Sequence, residues 1–236
     1  MGQAIRDLGE ELQTLQDERA TVTGVVRLTM IPVAFESIIR PVLPSFCQRY
    51  PHVVIEISTN EGLDDVVDQR FDGGIRFRGL IDKDMVSLPL TATTRVVIAG
   101  AASYFEKYPT PTNPENLIHH RTISYRYVSS SRLLRWPLAT GQRKLDYKVT
   151  PSLIFDDGEA IRKAVIDGLG IGFLLRSQVA ADLETNKLVQ VLDDWVTDLP
   201  GFSLFYPSRQ RISLAFRAFI DHLKEIGKKK NSAVVR

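Results

Sequence analysis

The run Val25–Ile31 alternates apolar and polar positions and is rich in β-branched residues, which predicts a buried strand. From Phe35 to Tyr50 the period lengthens. Ile38, Ile39, Val42, Leu43, Phe46 and Tyr50 recur at spacings of three and four, one apolar face of a helix. Pro51 ends that helix, and His52–Ile57 reads as a second strand. Strand, helix and strand of these lengths form a crossover unit, which lies right-handed on a parallel sheet. The loop Ile31-Pro32-Val33-Ala34-Phe35 then opens at the carboxyl edge of the sheet. Free N–H groups at the start of the helix point out there, and ligands bind there in open α/β sheets.

The same alternation of periods continues along the chain. Gly62–Phe71 sets Leu63, Val66, Val67 and Phe71 on one helical face and Asp64, Asp65, Asp68 and Gln69 opposite, before a turn into a short strand ending at Arg76. Arg95–Gly100 is an apolar strand, Thr122–Tyr125 another, and Arg135–Leu138 a hairpin strand with Trp136 in the core. Ser152–Phe155 leads into a helix with Asp156 or Asp157 as N-cap and Glu159 in the first turn. Its buried face is Ile161, Ala164, Val165 and Leu169. Gly168-Leu169-Gly170-Ile171-Gly172 follows that helix and opens the strand Ile171–Leu175, the reverse of a dinucleotide loop. The glycines read instead as a helix C-cap and a close-packing site. Leu188–Leu192 and Phe202–Pro207 are further strands, and Ser213–Ile226 is a final amphipathic helix. At the other end, Gln3–Arg19 carries a narrow seam of Ile5, Leu8, Leu12 and Leu15, roughly 25 Å of helix. Two basic and five acidic side chains make it unsuited to phosphates; it either packs on its own domain or pairs with a second copy.

Several of these runs share one resemblance. Val-Arg-Leu at Val26–Leu28, Pro-Val-x-Phe at Pro32–Phe35, Leu-Pro-x-Phe at Leu43–Phe46 and Arg-Tyr-Pro-x-Val at Arg49–Val53 stand in order. They are followed by Phe-Asp-Gly-Gly-Ile-Arg at Phe71–Arg76 and Asp-Gly-Glu-Ala-Ile-Arg-Lys-Ala-Val-Ile-Asp-Gly-Leu-Gly-Ile at Asp157–Ile171. Together they resemble the effector-binding domain of LysR-type transcriptional regulators. The resemblance implies a two-lobed α/β architecture of the periplasmic-binding-protein-like (type II) kind, each lobe a mostly parallel sheet flanked by helices. It divides the chain into a linker helix at 1–20, a first lobe at 22–99 and 204–227, a second lobe at 100–203 and a frayed tail at 228–236. In that family a winged helix-turn-helix precedes the linker helix; none stands before it in this sequence, so DNA would be bound only through that missing module. The resemblance further implies a homodimer or tetramer in the cytoplasm.

Composition agrees and narrows the field. At 236 residues, 44% apolar and 25% charged, the chain can bury a proper core. Thirty basic residues against 28 acidic ones leave +2, too balanced to mark a nucleic-acid surface. No apolar run reaches membrane-spanning length, and the start lacks the layout of a signal peptide. One cysteine, Cys47, sits mid-helix among core positions and fits a reducing compartment. The adjacent His119 and His120 diverge on a helix or a strand, so no metal site is expected, and nothing calls for a cofactor.

The candidate site follows from the two sheet edges and the resemblance. In the first lobe it comprises Pro32, Val33, Ala34, Phe35 and Glu36 with Thr59 and Asn60; in the second, Gly100, Ser124, Asp156, Asp157 and Gly158. Gly100 with two following alanines also marks a crossing between the lobes. Arg76 and Arg78 end a strand beside the cleft. They are either surface charges or a fork for an acidic small-molecule effector, opposed by Glu36, Asp156 and Asp157. No nucleophile elbow or phosphate loop points to an enzyme. An exported solute-binding protein of the same architecture, or a small-molecule enzyme assembled from scattered carboxylates, stands as the alternative.

Overall fold

The computed structural model describes residues 22–59, 70–80, 85–140, 143–208 and 212–234. The linker helix expected at 1–20, nearly all of the helix expected over Gly62–Phe71, and Asn60 lie outside these residues. The strands in chain order are β1 (Gly24–Met30), β2 (Val53–Thr59), β3 (Gly73–Phe77), β4 (Met85–Pro89), β5 (Thr93–Thr94), β6 (Val96–Ala101) and β7 (Thr122–Tyr125). After these come β8 (Trp136–Thr140), β9 (Arg143–Tyr147), β10 (Pro151–Phe155), β11 (Ile171–Leu175), β12 (Leu188–Val191), β13 (Leu199–Pro200) and β14 (Phe202–Pro207). The α-helices are α1 (Pro32–Ala34), α2 (Leu43–Arg49), α3 (Ala102–Phe105), α4 (Gly158–Ile166), α5 (Arg176–Glu184) and α6 (Leu214–Val234).

Two five-stranded sheets carry the two lobes, ordered β2-β1-β3-β14-β4 and β10-β7-β11-β6-β12. In the first, β1 runs parallel to β2 and β3, while β14 is antiparallel to β3 and β4. In the second, β7 runs parallel to β10 and β11, while β6 is antiparallel to β11 and β12. Each sheet therefore has four strands running one way, and its single reversed strand is one that arrives from the other lobe. This is the type II periplasmic-binding-protein arrangement.

The chain crosses between the sheets twice, and the two crossings pair as a short antiparallel ribbon of β5 with β13. The first crossing lies at Leu90–Arg95, so Val96–Ala99, expected with the first lobe, stand in the second sheet. Gly100 falls inside β6, where an added Cβ would sit 2.9 Å from the Phe105 ring. It is a packing glycine, not a crossing. Small residues serve close approach as readily as they serve a bend, and here the neighbouring ring decides. The return crossing ends just before Phe202, two residues earlier than expected.

Each lobe has its own core. Val26, Leu28, Ile39, Phe46, Phe216 and Phe219 are among the buried residues of the first, where α2 and α6 cover the sheet; Ile98, Ile123, Trp136, Val165 and Ile171 centre the second. The half-buried Leu175 packs against both. The helix expected over Phe35–Tyr50 is broken: a wide turn spans Phe35–Ile39, with Arg40 N donating to Phe35 O at 2.8 Å. Pro41 has no N–H for a regular helical bond, and Pro44 restarts the helix in the first turn of α2, where it is tolerated. The apolar face survives the break, since Ile39, Val42, Phe46 and Tyr50 are all buried. Cys47, expected among core positions, is exposed. The final helix extends to Val234 instead of fraying after Gly227, because lysines are good helix formers and a single glycine costs only about 1 kcal/mol.

Candidate functional site

Asp157 caps α4: its Oδ1 accepts from Ala160 N at 2.8 Å, and its backbone is extended. The other end of α4 closes with Gly168 at φ +73°, Gly168 N donating to Val165 O and Leu169 N to Ala164 O, a Schellman stop. Gly170 then lies so close to Arg121 that a Cβ would sit 2.4 Å from its carbonyl oxygen. These contacts turn the chain from α4 into β11 and fix the helix N-terminus at the carboxyl edge of the second sheet. In the first lobe the wide turn at Phe35–Ile39 leaves Ile31 and Val33 at the carboxyl end of β1.

A cavity of about 250 Å³ opens where the two edges face each other. Ile31, Val33, Arg76, Phe77 and Gly79 line it from the first lobe. From the second come Tyr125, Tyr127, Ser129 and Leu134 on one side, then Gly158, Ile161 and Gln178 from α4 and α5. Phe173–Leu175 of β11 and Leu199–Pro200 of β13 complete it, so the crossing ribbon forms part of its wall. The lining is mainly hydrocarbon with a few polar groups, the usual make-up of a small-molecule site.

Arg76 is the one ionisable side chain, other than the two tyrosines, in that lining among the described residues. It is only 2% exposed, with Nη2 donating to Thr29 Oγ1 at 3.2 Å and Nη1 to Ile75 O at 3.0 Å. Burial pushes the Tyr127 hydroxyl above its ordinary pKa, so it remains a protonated donor at neutral pH. Tyr125 and Tyr127 meet edge to face, with ring centroids 5.3 Å apart.

The structure brings together only part of the residue set read from the sequence. Val33, Arg76 and Gly158 line the cavity. Pro32, Ala34 and Phe35 flank Val33 without lining it, and Thr59 is exposed at the end of β2. Glu36 is on the surface in an ion pair with Arg40 at 2.8 Å. Asp156 is exposed, Asp157 serves as the cap, and Gly100 packs inside the second lobe. Ser124 is buried on β7, next to Tyr125, which lines the cavity where Ser124 does not. Successive side chains of a strand point to opposite faces, and here Tyr125 at the end of β7 is the one at the cavity. Arg78 is exposed and lies outside the cavity, with Nη2 on the Thr91 carbonyl at 2.9 Å. The tyrosine pair, Leu134 and the ribbon residues were missed; the strand ending at Tyr125 was the available signal for the first.

Comparison with known proteins places this geometry. The family model described as the LysR substrate binding domain matches residues 19–228. The chain belongs to the LysR substrate-binding domain family. It is similar to the uncharacterized HTH-type transcriptional regulator YcaN of Escherichia coli (strain K12), 35% identical over 224 residues, covering 93% of this chain and 73% of the relative. It is also similar to the HTH-type transcriptional regulator PgrR of the same organism, 33% identical over 227 residues, covering 96% and 76%. Among solved structures, CrgA, a LysR-type transcriptional regulator from Neisseria meningitidis, superposes with a TM-score of 0.75 at 24% identity, over 95% of this chain and 76% of that one. The LysR regulatory domain thus has its two lobes, its two crossings and its inter-lobe cavity in this chain. The family consists of transcriptional regulators and not of enzymes. Among the described residues, no helix is long and apolar enough to cross a membrane.

Proposed function

We propose that this LysR-family domain senses a small-molecule effector in the cleft between its lobes, and that the bound effector shifts the relative orientation of the lobes. The observation that carries this reading is the cavity lined from both lobes and from the crossing ribbon. A ligand touching both lobes has a different affinity for open and closed arrangements, and only such a difference can shift the equilibrium between them. Leu199 and Pro200 stand in its wall and are themselves β13, the strand that pairs with β5 to join the two crossings, so a ligand there acts directly on the segment that bends.

In the whole regulator, a homodimer or tetramer in the cytoplasm carries the change in lobe orientation to a DNA-reading winged helix-turn-helix. The described elements supply the sensing part, and DNA contact falls to that separate module. The test is a thermal-shift screen of small metabolites against this domain and against Leu134→Trp, which fills the cavity from its apolar side. Compounds that raise the melting temperature of the first but not of the second support cleft sensing. A screen in which no compound stabilises the protein, or in which the stabilisation is the same in both, contradicts it. Light scattering at micromolar concentration checks the assembly: a mass near the 26.6 kDa of one chain would contradict it.

A further inference from the structure

Resting on the reading of the cleft as the effector site, we infer that the effector is a compact neutral molecule, with an apolar ring or branched chain as its body and its hydrogen-bonding atoms at one end. Tyr127 is the residue that selects that end. Three features of the cavity carry this.

The first is where hydrogen-bonding capacity stands open. Tyr127, Ser129 and Gln178 line the cavity, and among the described residues none of their side chains has a hydrogen-bond partner. Each is neutral, and each both donates and accepts. All three belong to the second lobe, Tyr127 and Ser129 to the hairpin that follows β7 and Gln178 to α5. The first lobe contributes Ile31, Val33 and Phe77 together with Arg76, whose Nη1 and Nη2 already donate to Ile75 O and Thr29 Oγ1 of that lobe. A neutral head that donates and accepts, such as a phenol or a primary carboxamide, matches the three open groups. A charged head would leave water for three neutral partners, at a larger desolvation cost.

The second feature is the placement of Tyr127. Tyr127 N donates to Arg132 O at 2.9 Å and Leu134 N to Tyr125 O at 2.8 Å, which closes the hairpin, and Arg126 Nη1 donates to Ser131 O at 2.8 Å near its tip. Alternate positions of an extended arm share a face, so Tyr125 and Tyr127 line the cavity while Arg126 between them is exposed. The Tyr127 ring rests edge to face on Tyr125. Its hydroxyl is therefore positioned before a ligand arrives, and burial keeps it protonated as a donor.

The third is the apolar remainder. Ile31, Val33, Phe77, Leu134, Ile161 and Phe173 make most of the wall hydrocarbon, and at about 250 Å³ the space takes one ring or a short branched chain. A second polar group at the far end of such a body would be set against that hydrocarbon. A buried polar group without a partner weakens binding by about fivefold to a hundredfold.

The experiment is calorimetric titration of this domain with two matched sets of probes. One is 4-ethylphenol against 4-(2-hydroxyethyl)phenol, which adds a hydroxyl at the far end. The other is phenylacetamide against 2-(4-hydroxyphenyl)acetamide and the charged phenylacetate. At least one of 4-ethylphenol and phenylacetamide should bind with a Kd of about 1 mM or less, and about fivefold or more tighter than its two-ended counterpart. Phenylacetamide should bind tighter than phenylacetate. Tyr127→Phe keeps the ring and drops the hydroxyl, and affinity for the neutral probe should fall about threefold to tenfold, the range of one hydrogen bond. Leu134→Trp should abolish binding; where that variant does not fold, the probe comparison in the unmodified domain and Tyr127→Phe decide. A two-ended probe or phenylacetate binding as tightly as its one-ended neutral partner, neither neutral probe binding at millimolar concentration, or full affinity in Tyr127→Phe would overturn the inference. Metabolites outside this class that stabilise the domain but not Leu134→Trp would leave cleft sensing standing and remove only the effector's chemistry. Probe binding that persists in Leu134→Trp, or a metabolite screen with no stabilising compound, would remove both.

Discussion

The Arg78 guanidinium donates through Nη2 to the Thr91 carbonyl at 2.9 Å, and Arg78 N donates to Gly201 O at the same distance. One residue at the end of β3 is therefore bonded to both crossings, its side chain to the first and its backbone to the second. Thr91 Oγ1 in turn accepts from Phe202 N at 2.9 Å. The strand carrying Arg76 into the cavity is thus followed directly by a residue tied to both crossings. The two arginines, equivalent in the sequence, have different surroundings: Arg76 lines the cavity and Arg78 is bonded to the crossings.

Replacing Arg78 by alanine removes one exposed hydrogen bond, and the expected loss of stability is about 1 kcal/mol or less in denaturant unfolding. Affinity for a cleft ligand should change by less than about threefold, under ~0.7 kcal/mol. Inter-lobe distance distributions from paired spin labels, one on each lobe, should broaden, because the crossings lose a tie. A loss of affinity as large as that of an Arg76 variant would place Arg78 in the site instead.

The crossing geometry makes a second expectation at Gly201. A Cβ there would stand 2.1 Å from the Thr91 carbonyl oxygen, a contact that only backbone movement relieves. Gly201→Ala should therefore destabilise by about 1–3 kcal/mol, the usual cost of overpacking. Gly227 in α6 is the matched control, with nothing within 4 Å of its added Cβ. Gly227→Ala should be neutral or stabilising, by up to about 1 kcal/mol, since it gains helix propensity without a clash. Chemical denaturation of the two variants measures both signs. A Gly201→Ala variant as stable as the parent would show that the ribbon yields easily.

His120 gives a pH dependence. Burial lowers its pKa from the ordinary 6.5, and the neighbouring His119 charge lowers it further. The Tyr104 hydroxyl accepts from Arg121 N at 3.0 Å and lies 3.3 Å from His120 Nδ1, an arrangement that suits a neutral imidazole accepting the phenolic proton. With the folded pKa below the unfolded one, the unfolded state binds more protons in the interval between them. Stability is then fully present above about pH 6.5 and falls as the pH drops through that interval to the folded value. In His120→Gln this component should vanish, so the stability difference between parent and variant should shift in the variant's favour below pH 6.5. A difference that stays flat from pH 7 to 5 would contradict the assignment.

Legibility in the sequence tracked the range of the forces involved. Local periodicity gave the alternation of strands and helices, and the cap at Asp157 and the stop at Gly168 were readable because their chemistry lies within a few residues. The break at Pro41 was written in the sequence too, but the apolar spacing from Ile38 to Tyr50 masked it, since a π turn keeps the buried face while abandoning the regular bond pattern. Sheet order was less accessible. Nothing local assigns β6 to the second sheet, because that membership comes from pairing with β11 and β12, about 70 to 90 residues away. The site was partly visible for the same reason. Val33, Arg76 and Gly158 lie at strand ends and a helix start, where edges form, whereas Leu134 and Pro200 reach the cavity only through tertiary packing.

The most direct measurement of the central claim is methyl NMR of this domain, titrated with a compound that stabilises it. Ile31 and Val33 in the first lobe and Ile161, Leu174 and Leu175 in the second line one cavity and should shift together along one binding curve. The exposed Ile118 and Leu214, which are outside the lining of that cavity, should not move. Shifts confined to one lobe, or strongest at the exposed methyls, would contradict effector binding in the cleft between the lobes.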